Sequence, residues 1–178
     1  MTSWAEITDA VAVALGGNRT EGRRRLLTCW EGTGPGEHAH RCILAHYLAD
    51  TESDLPAEIA WDEAALAEYA GVRDGDLVPL GIPSARGFAP SLHLNLGDGY
   101  LRRGEPGKAR RHHVLGLAAA DVLGTEGYGA MIRAGLENLG LRIEAARNAG
   151  PGTATGTSTG TTVHNAGPGT ATGTPAGT

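Results

Sequence analysis

Apolar residues recur along this chain at helical spacing, and polar punctuation separates the runs. Ser3 followed by Glu6 is a capping box that opens a helix over SWAEITDAVAVAL, and Gly16-Gly17 stops it. Asn18 and Glu21 repeat the capping pattern for a helix through about Trp30, with Leu26, Leu27 and Trp30 as its apolar stripe. The loop GTGPGE leads to HAHRCILAHYLAD, which ends near Asp50. Asp54 then caps LPAEIAWDEAALAEYA, where Pro56 falls in the first turn and its missing N–H costs nothing. Residues 90–121 carry a further helical pair, PSLHLNLGDGYLRRGEPGKARRHHVLGLAAAD. A last helix runs from about Tyr128 to Arg147 through Met131, Ile132, Leu136, Leu139, Leu141 and Ile143. About seven helices and no strand are expected.

Two of these helix pairs align with each other. Leu44-Ala45 falls where Leu96-Gly97 falls, Leu48 where Tyr100 falls, Ala57 where Ala109 falls, Trp61 where His113 falls, and Ala64 where Gly116 falls. Every match has the same offset of 52 residues. Each position has a packing reason. Gly97 lets a second helix come close, Tyr100 fills the gap one turn later, Gly104 ends the helix, and Ala109 is small at the crossing. Between the pairs lies VRDGDLVPLGIPSARGFA, a Gly/Pro-interrupted insertion.

These residues resemble the helix–turn–helix unit of the tetratricopeptide-repeat (TPR) superfamily over about residues 38–145. An offset of 52 is one such repeat of about 34 residues plus the insertion. More narrowly, the chain resembles small actinobacterial TPR-like proteins with an HRC-x-LAH-like helix and a later LHLNLGD-x-Y-like helix, a group that implies no defined reaction. The resemblance implies an all-α fold: a right-handed stack of helix pairs, capped by the N-terminal pair at one end and the last helix at the other. It also implies a concave groove that holds a protein or peptide. Carried onto this sequence, the groove positions are Cys42, Ile43, His46, Ala49 and Asp50 in one unit and Leu94, Asn95, Asp98, Leu101 and Arg102 in the next. Arg133 is a further candidate. Asn95 and Arg102 match parts of the set with which some members clamp a peptide's terminal carboxylate. His46 and Asp50 do not complete that set.

Composition divides the chain in two. From Asn148 onward there is no Asp, Glu, Lys or Arg, and NAGPGTATGT occurs at 148–157 and again at 165–174. Such a stretch has little apolar surface to offset the entropy of ordering, so a folded domain at 1–147 and a disordered tail at 148–178 are expected. The net charge of −5 therefore falls on the folded part, which argues against nucleic acid as partner. Fourteen of the fifteen basic residues are Arg, and Lys108 is the only Lys. The two cysteines, Cys29 and Cys42, form no framework and are expected as buried thiols. No targeting segment or long apolar run is visible, so a cytoplasmic protein without membrane contact is expected.

The histidines raise a second possibility. His38, Cys42 and His46 follow one another at i, i+4 and i+8 on one helix. The outer two are then about 12 Å apart, too far for one metal ion. A metal-binding alternative would use Cys42, His46 and His93 from two helices, but no C-x-x-C or H-E-x-x-H motif supports it. A Cys42–His46 nucleophile pair lacks an identifiable group to orient the imidazole, although Asp50 is at the next step. The packing alternatives are specific: His113 occupies a position for a partly buried ring, His93 wedges between helices, and His112 is expected to point outward. The reading favours a groove-binding adaptor, without catalytic residues or cofactor, over an enzyme.

Overall fold

Seven α-helices and no strand make up residues 2–149, which the computed structural model describes. The helices are α1 (Trp4–Leu15), α2 (Arg19–Glu31), α3 (His38–Thr51), α4 (Leu55–Tyr69), α5 (Ala89–Arg102), α6 (Pro106–Ala119) and α7 (Gly127–Asn148). The expected tail lies, from residue 150 onward, outside the described residues. No described helix is long and apolar enough to cross a membrane.

Local chemistry sets the helix starts. Ser3 and Glu6 close a reciprocal box, with Ser3 N donating to Glu6 Oε2 at 2.7 Å and Glu6 N donating to Ser3 Oγ at 3.3 Å. Asn18 Oδ1 accepts from Glu21 N at 3.3 Å, and Asp54 Oδ2 accepts from Ala57 N at 3.1 Å. Gly104, at φ +80°, ends α5 in the left-handed region that a side chain disfavours.

The helices pair as α1/α2, α3/α4 and α5/α6, and each pair packs on the next, with α7 closing on both α5 and α6. This is the packing of a stacked helical repeat. Small residues set the close approaches. A Cβ on Gly97 would stand 2.5 Å from Leu139 Cδ2 and 3.5 Å from the Ala109 carbonyl oxygen. The tightest contact at Gly97 is thus with α7, not with α6 as its place in the pair suggests. A Cβ on Gly116 would likewise meet Leu136 of α7 at 2.6 Å.

The insertion between α4 and α5 is part of the core. It forms two short 3-10 turns, Val78–Leu80 and Ala85–Phe88. Asp74 Oδ1 gathers it by accepting from Ser84 Oγ at 2.7 Å and from Ala85 N at 3.1 Å. Leu77, Ile82 and Phe88 then join the same buried cluster as Leu44 and Leu48 of α3. Phe88 is 1 % exposed, and burying such a ring contributes about 1.5–3 kcal/mol. A second cluster, with Leu96, Tyr100, Leu136, Leu139 and Ile143, joins α5, α6 and α7.

Candidate functional site

A cavity of about 360 Å³ opens where α3, α4, α5 and α7 meet. Asp50 enters from the last turn of α3 and Glu58 from the first turn of α4. Leu94, Asn95, Asp98 and Arg102 line it from one face of α5, because spacings of three and four residues stack on a helix. The α7 wall includes Met131, Ala134, Asn138 and Arg142. Larger hollows of about 510 Å³ beside His38 and Arg73, and about 560 Å³ beside Arg19 and Glu52, are more open to solvent.

The charges in the cavity interlock. Arg102 Nε donates to Asp98 Oδ2 at 2.7 Å, and its other nitrogens reach Glu58, one of them at 3.2 Å. Arg142 pairs with the other oxygen of Asp98. Two guanidiniums therefore satisfy Glu58 and Asp98. They leave two further acids. Asp50 Oδ2 is inaccessible to solvent and has no hydrogen-bond partner. Asp62, behind the cavity on α4, is 1 % exposed and receives a long bond of 3.5 Å from Asn95 Nδ2.

Burial pushes both carboxyls up from their ordinary range. Desolvation is the main cause for Asp50, raised to about 7, with Glu58 adding to the rise and Arg19 opposing it. Asp62 is raised well above its ordinary value by burial first, then by Asp50 and Glu58, with Asn95 and Arg102 opposing. Carboxyls shifted by burial and by like charges cluster at functional sites.

Of the groove positions carried over from the repeat, Asp50, Leu94, Asn95, Asp98 and Arg102 line one cavity. Cys42, Ile43 and His46 do not. They are 0 %, 1 % and 0 % exposed, and Ala49 is buried too. For His46 the insertion supplies a physical reason, while α3 as a whole packs on α1, α2 and α4. Phe88 meets the His46 ring edge-on with centroids 5.0 Å apart, and the rest of the insertion packs into the same cluster. Leu101 is half-buried against the second core cluster rather than in the cavity. Arg133 turns away, donating from Nη2 to the carbonyls of Ala120 at 2.6 Å and Leu123 at 2.8 Å.

The metal and nucleophile alternatives lose their geometry in the same way. His93 Nδ1 faces His112 Nδ1 of α6 at 3.1 Å, while Cys42 and His46 are both fully buried. His112 is half-buried, stacked on Tyr100 at 5.4 Å, and does not point outward as its position suggests. Among the described residues no group of three or more His, Cys, Asp or Glu side chains stands together as a metal set. Desolvation raises the Cys42 thiol far above its ordinary range and lowers His46 to about 4. A protonated thiol beside a neutral imidazole, both sealed from solvent, is not a nucleophile pair.

Glu58, Asp62, Met131, Asn138 and Arg142 are not singled out by the sequence pattern. Glu58 and Asp62 lie on the second helix of a unit, which the repeat pattern assigns to the outer layer. The α7 residues lie on the closing helix, where the sequence pattern offers only Arg133 as a groove candidate. A signal was present at Asp62, which with Glu63 is one of two adjacent acids interrupting the apolar run IAWDEAALA.

Compared with protein-family models, curated proteins and solved structures, the chain finds no match. The stacked helical architecture and the geometry of the cavity therefore carry the functional reading.

Proposed function

We propose that this protein is a helical-repeat adaptor that binds a peptide segment of a partner protein in the cavity between α5 and α7, as the resemblance to the TPR superfamily suggests. The observation that carries the reading is the meeting of five carried-over groove positions, Asp50, Leu94, Asn95, Asp98 and Arg102, in one cavity. Leu94, Met131 and Leu139 supply apolar wall, and Asn95 and Asn138 supply amide donors and acceptors. A concave site with apolar walls and a few convergent polar groups suits a short side-chain anchor.

The test uses a blocking substitution. Ala134 is exposed and lines the cavity, so Ala134→Trp fills it without disturbing the core. Pull-down from the native host with wild type and Ala134→Trp is the comparison. A partner held by wild type and released by the variant supports the reading. Equal retention by a variant of unchanged helicity places binding elsewhere.

A further inference from the structure

The cavity gathers more carboxyl groups than guanidiniums to engage them, and the surplus points to its occupant. Three carboxyls line it (Asp50, Glu58 and Asp98) and Asp62 stands behind, against the guanidiniums of Arg102 and Arg142. The two guanidiniums are engaged by Glu58 and Asp98. Arg19, the nearest further cation to act on Asp50, donates instead from Nε to the Thr51 carbonyl at 2.9 Å. Asp50 Oδ2 is left buried and without a hydrogen-bond partner. A native structure rarely leaves such an atom unexplained, because an unmet buried acceptor opposes folding.

We propose that the Asp50 end of the cavity receives the ammonium group of a lysine side chain from the bound peptide. The inference rests on the peptide-binding reading above and names its anchor. Asp50 supplies the charge. The Asn95 side-chain carbonyl oxygen, turned from Asp62 because Nδ2 faces that residue, supplies a second acceptor. Leu94, Met131 and Leu139 flank the cavity and suit the four-carbon lysine stem, which packs on apolar walls while its head finds polar partners.

An ammonium fits better than a guanidinium. The planar fork of arginine seeks a carboxylate open to two parallel bonds. The more accessible carboxylates of this cavity, Glu58 and Asp98, already hold arginines of this chain. A compact ammonium needs only single acceptors arranged around a point. The chain's own sequence does not supply it: Lys108 is the only Lys and pairs with Glu105 at 2.6 Å, and no basic residue other than His164 follows Arg147. The polarity is opposite to that of a carboxylate clamp.

The charge state of Asp50 gives an independent readout. Its carboxyl, pushed up to about 7, is partly protonated at neutral pH. An ammonium binds the carboxylate form, so affinity rises as pH increases from about 6 to 8. The groups facing Asp50 are Arg19 from α2, Glu58 and Asp62 from α4, Arg102 from α5 and Arg142 across the cavity from α7.

The experiment passes a random, C-terminally amidated heptapeptide library over the immobilised full chain, wild type or Asp50→Asn, and reads retained peptides by mass spectrometry. The leading lysine peptide is then resynthesised with Nε-acetyl-lysine and with arginine, and challenged with n-butylamine as competitor. The expected result is lysine enrichment on wild type that vanishes with Asp50→Asn. Acetylation should weaken binding about tenfold or more, and affinity should climb between pH 6 and 8. Enrichment of peptides with no lysine bias overturns the anchor and leaves peptide binding standing. Retention of no peptide overturns both. Equal binding of the arginine form overturns the choice of ammonium, and displacement of the peptide by n-butylamine at equal concentration reassigns the site to free amines. Residues beyond 149 stay in the chain throughout.

Discussion

Asn95 on α5 reaches Asp62 on α4 across 3.5 Å, the long limit of a hydrogen bond, and the carboxyl it reaches is only 1 % exposed. Such a contact does not offset the burial of an ionised group. Asp62 is raised well above the ordinary carboxylate range, so the folded state binds its proton more tightly than the unfolded chain does. Its contribution to stability is therefore present at acid pH and lost as pH rises from the unfolded value of 3.8. Asp62→Asn should raise stability by about 1–3 kcal/mol at pH 7 and change little at pH 3. Urea unfolding at both values checks this. A loss at pH 7 would mean that the carboxylate has a stronger partner than Asn95.

Asp50 obeys the same sign with a defined window. Its folded value is about 7 against 3.8 unfolded, so stability is lost across that interval and is flat above it. Each unit corresponds to about 1.4 kcal/mol, which puts a ceiling of about 4 kcal/mol on the gain from Asp50→Asn at pH 8. The wild-type and variant stability curves should converge near pH 3. Parallel curves would show that the carboxyl is not the titrating group.

His46 has the opposite dependence. Both ring nitrogens are buried without a hydrogen-bond partner, and desolvation lowers the group from 6.5 to about 4. The unfolded chain takes up this proton first, so stability is intact above pH 6.5 and falls as pH drops toward 4. His46→Leu, which packs against Tyr47 and Phe88 without orphaned nitrogens, should flatten that fall. It should also gain about 1 kcal/mol at neutral pH. Thermal melts from pH 7 to 4.5 read both effects, and an unchanged acid slope would exclude His46 as its source.

Two helical glycines should respond in opposite directions to alanine. A Cβ on Gly22 would stand 2.4 Å from Ala14 Cα, a backbone atom with no freedom to retreat. Gly22→Ala should therefore cost about 1–3 kcal/mol by forcing α1 and α2 apart. Gly107 on α6 is exposed, and a Cβ added there would meet nothing within 4 Å. Gly107→Ala should gain up to about 1 kcal/mol through helix propensity. Denaturant midpoints of the two variants, bracketing wild type, are the expected outcome.

The helices are legible in the sequence because their signals are local. Ser3, Asn18 and Asp54 cap the helices that their side chains predict, and Gly104 ends α5 as expected. The cavity is legible only in part. Asn95, Asp98 and Arg102 reach it because α5 keeps an open inner face. Cys42, Ile43 and His46 occupy equivalent positions on α3 but are buried by neighbouring elements, His46 against Phe88 from a segment more than twenty residues later in the chain. Nothing in the periodicity of α3 reveals that Phe88 will lie on His46. Asp62 is hidden for a related reason: the α4–α5 contact that brings Asn95 to it is long-range.

Phe88 and the insertion that carries it put a resident guest in the first unit of the stack. A segment joined covalently to its own receptor competes at an effective concentration near the millimolar range, and it does so continuously. Under the proposed peptide-binding function, an outside peptide is left with the Asp50 end of α3 and the open faces of α5 and α7. On the proposed reading, the repeat has given up part of its reading frame for a fixed stop at one side, and a partner would present its anchor within a few residues of that stop.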